Sequence, residues 1–121
     1  MEVFSTFTFD AAHHLPHVPE GHKCARPHGH TFTVQVYASG PVDPLFGWVL
    51  DFDTLKKSVQ PLIDQLDHHD LNKIDGLQNP TSENLAVWIW DRLKPKLPLL
   101  SRIIVQESPR NGVAYSGNVC K

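Results

Sequence analysis

The feature that most narrows the possible folds is a pair of histidines, His28 and His30, set directly before the run Thr31-Phe32-Thr33-Val34-Gln35-Val36-Tyr37. Its β-branched and aromatic content predicts a strand from Thr31 to Ala38. Extended back to His28, that strand carries both imidazoles on one face. Side chains at i and i+2 of a strand project the same way, roughly 6.5 Å apart along the backbone. Two rings so spaced can converge on one metal ion, and a third ligand must come from elsewhere. His13 is the best candidate, because it closes an earlier strand-like run, Val3 to Phe9, with Phe4, Phe7 and Phe9 near period two. If the two runs pair antiparallel across the loop from His14 to Pro27, His13 meets His28 and His30. Three neutral imidazoles without a fourth protein ligand are the donor set of a catalytic zinc site, which keeps one position open.

Further along, Gly40-Pro41-Val42-Asp43-Pro44 is a turn cluster. Asp51 or Asp53 can cap the helix that follows. Phe52, Leu55, Val59, Leu62, Ile63 and Leu66 recur at helical spacing and predict one buried face. Pro61 lies inside this pattern and should kink the helix or split it in two. A polar loop from Asp67 to Pro80 leads to a second helix, capped by Thr81 or Ser82, with Glu83 in its first turn. Leu85, Trp88, Ile89 and Leu93 form its buried stripe, and Lys94-Pro95 ends it. Ser101 to Ser108 and Val113 to Ser116 read as two strands around a turn containing Asn111-Gly112. The order is ββααββ, an α+β fold: a four-stranded antiparallel sheet with two helices on one face.

With 121 residues, 40% of them hydrophobic, the chain is expected to form a single domain over 1–121. A net charge of −2 argues against a nucleic-acid partner. No apolar run approaches the ~18 residues of a membrane span, and no signal peptide is evident. The two cysteines, Cys24 and Cys120, read as free thiols in a reducing cytoplasm.

Cys24 stands between Lys23 and Arg26, four residues before a proposed ligand, in a polar loop. Flanking positive charge favours thiolate over thiol, the reactive form.

Several strings then combine. Phe9-Asp10-Ala11-Ala12-His13 is followed by Cys24, His28-Gly29-His30 and Gly47-Trp48-Val49-Leu50-Asp51-Phe52. Leu66-Asp67-His68-His69-Asp70-Leu71-Asn72, Pro80-Thr81-Ser82-Glu83-Asn84-Leu85-Ala86 and Gln106-Glu107-Ser108 complete the set. In this order, from about Phe7 to Gly117, the chain resembles the 6-pyruvoyltetrahydropterin synthase family. Its loop from Pro16 to Cys24, and the three residues between Cys24 and His28, resemble the bacterial 6-carboxytetrahydropterin synthase branch, associated with queuosine biosynthesis. The pyruvoyl branch has a longer gap.

The resemblance implies a T-fold, in which three chains close a barrel and two trimers stack as a homohexamer with sites at subunit interfaces. The two open edges of a four-stranded sheet point to the same need for partner chains. It implies zinc at His13, His28 and His30, and a proton-transfer triad of Cys24, Asp67 and His68, with His69 as a supporting neighbour. Glu107 would hold the pterin ring, whose 2-amino-pyrimidinone edge offers two parallel N–H donors to one carboxylate. Thr81 and Ser82 are further substrate contacts, although helix capping alone would account for both. Lys23, Arg26 and Arg110 are candidates for the triphosphate. The implied reaction takes 7,8-dihydroneopterin triphosphate to 6-carboxytetrahydropterin, acetaldehyde and triphosphate. Two alternatives stand beside it: the pyruvoyl synthase reaction, and a non-catalytic zinc protein that only binds a pterin.

Overall fold

The computed structural model describes residues 1–117; Cys120 lies outside them. Strand β1 (Glu2–His13) pairs antiparallel with β2 (His28–Ser39), β2 with β3 (Leu100–Gln106), and β3 with β4 (Gly112–Tyr115), in the sheet order β1-β2-β3-β4. Between β2 and β3 run α1 (Phe52–Leu66) and α2 (Ser82–Leu93). This is the ββααββ order expected of a T-fold subunit.

Strict alternation builds the core. Phe7, Phe9 and Ala11 of β1 face the same way as Phe32, Val34 and Val36 of β2 and Ile103 and Val105 of β3, and all are buried. Against that face lie Leu55, Val59, Leu62, Ile63 and Leu66 of α1, and Leu85, Ala86, Trp88, Ile89 and Leu93 of α2. Each fully buried aliphatic or aromatic side chain here contributes about 1.5–3 kcal/mol of transfer free energy. The opposite face is polar for most of its length, with Thr6, Thr8, Asp10 and Thr31 exposed.

The structure resolves three local expectations. Of the two outcomes expected of Pro61, the split does not occur: α1 runs unbroken from Phe52 to Leu66. Pro61 is on the exposed side, where the Lys57 carbonyl that it leaves without an N–H donor can be hydrated. Phe52 is not part of the buried stripe: it is 59% exposed at the first turn and lines a surface groove with Thr6, Thr8, Lys56 and Gln60. The β3–β4 hairpin forms as expected but its ends differ: β3 stops at Gln106, residues 107–111 make the connection, and Gly112, expected in the turn, opens β4 opposite Gln106. A Cβ at Gly112 would come within 2.7 Å of the Gln106 side chain and 2.8 Å of the Val105 carbonyl, so the close approach requires glycine there. Among the described residues no helix is long and apolar enough to cross a membrane.

Candidate functional site

The β1–β2 register sets His13 opposite His28 and Ala11 opposite His30. All three histidines therefore continue the inward-facing rows past the helices, where the row changes from apolar to imidazole. Ring centroids are 4.6 Å apart for His13–His28, 5.0 Å for His13–His30 and 4.8 Å for His28–His30. One nitrogen from each ring lies within 4.8 Å of the other two, a spacing that one ion can bridge. Phe32 packs edge-on to both His13 and His30, each at 5.6 Å, and forms an apolar floor.

Backbone carbonyls orient two of these rings. His13 Nδ1–H donates to Pro80 O at 2.9 Å, and His28 Nδ1–H donates to Arg26 O at 2.7 Å. A proton held on Nδ1 leaves Nε2 as a lone pair, the arrangement that a metal-binding imidazole needs. His13 is 2% exposed. Burial holds its pKa below the ordinary imidazole value, and the positive potential of His28 and His30 adds to this, while the Pro80 carbonyl and Glu107 oppose it. The ring thus stays neutral to lower pH than a free histidine. The Nε2 atoms of His13 and His30 are buried and have no hydrogen-bond partner. A buried, unpaired polar atom costs about 1–3 kcal/mol. Two of them aimed into one cluster of three imidazoles is what a zinc ion would satisfy, so the donor set fits the metal expected from the sequence.

Next to this cluster is a cavity of about 410 Å³ lined by Lys23, Cys24, His28, His30, Glu107, Ser108 and Asn111. That volume is in the ~300–1,000 Å³ range of small-molecule sites. Cys24 is a half-buried free thiol carried on a 3-10 turn, Lys23–Ala25. Glu107 is half-buried in the link after β3, one residue beyond the observed strand end at Gln106 and not inside the strand as expected. The Ser82 hydroxyl donates to Glu107 Oε2 at 3.2 Å, which aims the carboxylate. Thr81 is the N-cap of α2, and its hydroxyl accepts the Asn84 N–H at 3.1 Å. Capping occupies Thr81; Ser82, at the first helical position, reaches into the site.

Asp67 and His68 sit elsewhere in the chain. Asp67 caps the end of α1, and its Oδ1 accepts both the Asp10 N–H at 3.0 Å and the His68 Nδ1–H at 3.0 Å. The Asp10 N–H, more than His68, holds the Asp67 carboxyl below its ordinary pKa. His68 N–H donates back to Asp10 O at 2.6 Å, and His68 adopts φ 60°, the one positive φ outside glycine among the described residues. Such a conformation costs on the order of 1 kcal/mol and persists where the surroundings enforce it. His69 Nδ1–H donates to Asp67 O at 2.7 Å. The pair lies along the outer edge of β1: His68 lines a second cavity with Asp10, Ala12, His30, Thr31 and Asp70, and Cys24 is not among its lining residues. One chain therefore gathers the three histidines, Cys24, Ser82 and Glu107, while His68 lines a second cavity that shares only His30 with the one beside Cys24.

Sequence reasoning assigned no role to Asp10 or Asn72, although both lie inside the quoted motifs. Asp10 also accepts the Thr31 hydroxyl and pins the Asp67–His68 turn. Asn72 accepts the His14 N–H and donates to the His14 carbonyl, both at 2.9 Å, and so fixes the residue after His13. A polar residue inside a motif dominated by functional side chains was the available signal.

The family profile described as 6-pyruvoyl tetrahydropterin synthase matches residues 2–118. The chain is 40% identical over 119 residues to a 6-carboxy-5,6,7,8-tetrahydropterin synthase of Synechocystis sp., covering 93% of this chain and 91% of the relative. It is also 40% identical over 109 residues to a dihydroneopterin monophosphate aldolase of Pyrococcus furiosus, covering 88% and 89%. A solved 6-pyruvoyl tetrahydropterin synthase of Caenorhabditis elegans superposes with a TM-score of 0.90 at 29% identity, over 98% of this chain and 96% of that one. The profile match and the Synechocystis relative show the family, and the solved structure shares the fold: the chain belongs to the 6-pyruvoyl tetrahydropterin synthase family.

Proposed function

We propose that this chain is a zinc-dependent 6-carboxy-5,6,7,8-tetrahydropterin synthase. It would convert 7,8-dihydroneopterin triphosphate and water to 6-carboxytetrahydropterin, releasing acetaldehyde and triphosphate, on the cytoplasmic route to queuosine and other 7-deazapurines. The observation that carries the reading is the pair of buried, unpartnered Nε2 atoms on His13 and His30, beside a cavity that also presents Cys24 and Glu107. A buried acceptor cluster next to a thiol and an aimed carboxylate suits an enzyme that recognises a heterocycle and moves protons on its side chain. The Synechocystis relative and the short Cys24-to-His28 gap favour the carboxy product over the pyruvoyl one.

The residues take distinct roles. Glu107, oriented by Ser82, accepts the paired N–H donors of the pterin edge, a charge-assisted bidentate contact. The chemistry that zinc supplies when held by His13, His28 and His30 is Lewis acidity toward side-chain oxygens of the substrate. Cys24, as thiolate, removes a proton from the substrate side chain. His68, with Nδ1–H held by Asp67, keeps Nε2 free to return or relay a proton. Cys24 and His68 line two cavities of one chain that share only His30, and a neighbouring copy would bring an Asp67–His68 pair to a Cys24 site. This supports a homo-oligomer, a hexamer built as a dimer of trimers, with the free edges of β1 and β4 pairing between chains. Each chain acts as one T-fold domain, with no nucleic-acid or membrane partner.

Incubating zinc-loaded protein with dihydroneopterin triphosphate and identifying the products by mass spectrometry tests the reading. A 6-carboxy product supports it. A 6-pyruvoyl product, or no turnover with pterin binding retained, would assign one of the other two functions instead.

A further inference from the structure

We infer that His22 is a positioning residue for the Cys24 thiol, an inference that rests on the reading of Cys24 as a proton-transfer group. Cys24 belongs to a loop whose only regular structure is the 3-10 turn Lys23–Ala25. The N-cap of that turn is His22, at φ −67° and ψ 137°, and its ring Nδ1 accepts the Cys24 N–H at 3.0 Å. Ser, Thr, Asp and Asn are the usual residues at such a cap. An imidazole can serve because its Nδ1 and the Oδ1 of asparagine are both bonded to Cγ, so the two acceptors reach a similar point.

The surrounding bonds convert this cap into a fixed position for the thiol. The Cys24 carbonyl accepts the Leu15 N–H at 2.8 Å, two residues past the metal-ligand candidate His13. The His22 carbonyl accepts the Ala25 N–H at 3.0 Å, and the His22 N–H donates to Pro19 O at 3.0 Å. Gly21, at φ 82° with nothing within 4 Å of where a Cβ would stand, is there for its conformation and not for space. Both backbone polar groups of Cys24 are therefore engaged, one by the end of β1 and one by the His22 ring. The ring itself is exposed, so packing does not explain it. Without the acceptor, the Cys24 N–H turns to water and the thiol loses one of the two bonds that register it against the histidine cluster.

The test compares His22→Ala, His22→Gln and His22→Asn in the zinc-loaded protein. Amide exchange at Cys24, zinc content, and kcat and KM with dihydroneopterin triphosphate are the readouts. His22→Ala should expose the Cys24 amide to exchange and lower kcat about tenfold, the scale of losing one cap in front of a catalytic group. Zinc content should stay complete and KM within about twofold. His22→Gln, whose acceptor sits one bond too far out, should behave like alanine. His22→Asn should restore both the protection and kcat. Undiminished kcat in His22→Ala or His22→Gln overturns the inference. So does an asparagine variant that regains amide protection without regaining kcat, because the ring would then act directly and not through position. Full turnover in Cys24→Ala sinks the underlying assignment of the thiol, and the exchange measurement still reports the hydrogen bond independently.

Discussion

The Nδ1–H of His13 donates to the carbonyl oxygen of Pro80 at 2.9 Å, tying the last residue of β1 to the approach of α2 across 67 positions of sequence. That bond sets the His13 tautomer and turns Nε2 toward His28 and His30. It also brings the start of α2, with Ser82 and its partner Glu107, alongside the same cluster. The proposed metal ligands and the proposed substrate carboxylate thus share one structural joint.

Purified protein should carry about one zinc per chain, and His28→Ala with His30→Ala should abolish it, because a single imidazole cannot retain the ion. Protons compete with metal for Nε2, so occupancy falls as pH drops and not as it rises. Burial keeps His13 itself neutral to lower pH than a free imidazole, which favours its ligation in mild acid. Full occupancy in the double variant, measured by elemental analysis, contradicts the assignment.

Cys24→Ala should keep its fold and zinc but lose about 10²–10⁴ of its turnover, the range of one proton-transfer group. His68→Ala should do likewise. If neighbouring copies supply the two groups, unfolding and reassembling equal amounts of the two inactive variants should regain about a quarter of wild-type activity by random mixing of subunits. No recovery in mixed oligomers of verified composition would mean that each chain completes its own site.

Ser82 donates one hydrogen bond to Glu107, so Ser82→Ala leaves the carboxylate charged but less well aimed. A hydrogen bond to a charged group is worth about 1.5–3 kcal/mol, and KM should rise on the order of tenfold or more. Glu107→Gln, which keeps shape and loses charge, should raise it further. An unchanged KM in both variants would remove Glu107 from substrate recognition.

Asp67 gives a pH signature. The Asp10 N–H and then His68 hold its carboxyl below the ordinary value of 3.8. A group lowered in the folded state contributes stability that is complete above the unfolded pKa and is lost as pH falls through the folded one. Wild type should therefore unfold at higher temperature than Asp67→Asn at neutral pH, with the gap narrowing below pH ~4. A gap that stays constant into acid would mean that the Asp67 charge is not what the turn relies on.

How much of this was legible in the sequence depends on the length scale of each signal. The strands that carry His13, His28 and His30 could be read directly, because a period of two places i and i+2 side chains together regardless of what surrounds them. The Pro80 and Arg26 carbonyls that orient those rings could not, since a backbone oxygen has no residue type. Phe52 fits the α1 stripe by spacing, yet it lies at the first turn beside a surface groove, a fact that only the tertiary arrangement supplies. Glu107 was expected on a strand because Ile103 and Val105 precede it at period two; the strand stops at Gln106, and the five-residue link gives the carboxylate its aim. That His68 and Cys24 line two different cavities could not be read at all, because adjacency in a list of motifs carries no distance.

The most direct test of the central claim is to trap aldehyde with a hydrazine reagent while the zinc-loaded protein consumes dihydroneopterin triphosphate. The account predicts acetaldehyde in about one-to-one ratio with substrate consumed and with 6-carboxytetrahydropterin formed, as balance requires when two side-chain carbons leave together. Complete consumption without acetaldehyde, and with a 6-pyruvoyl product in its place, would contradict it.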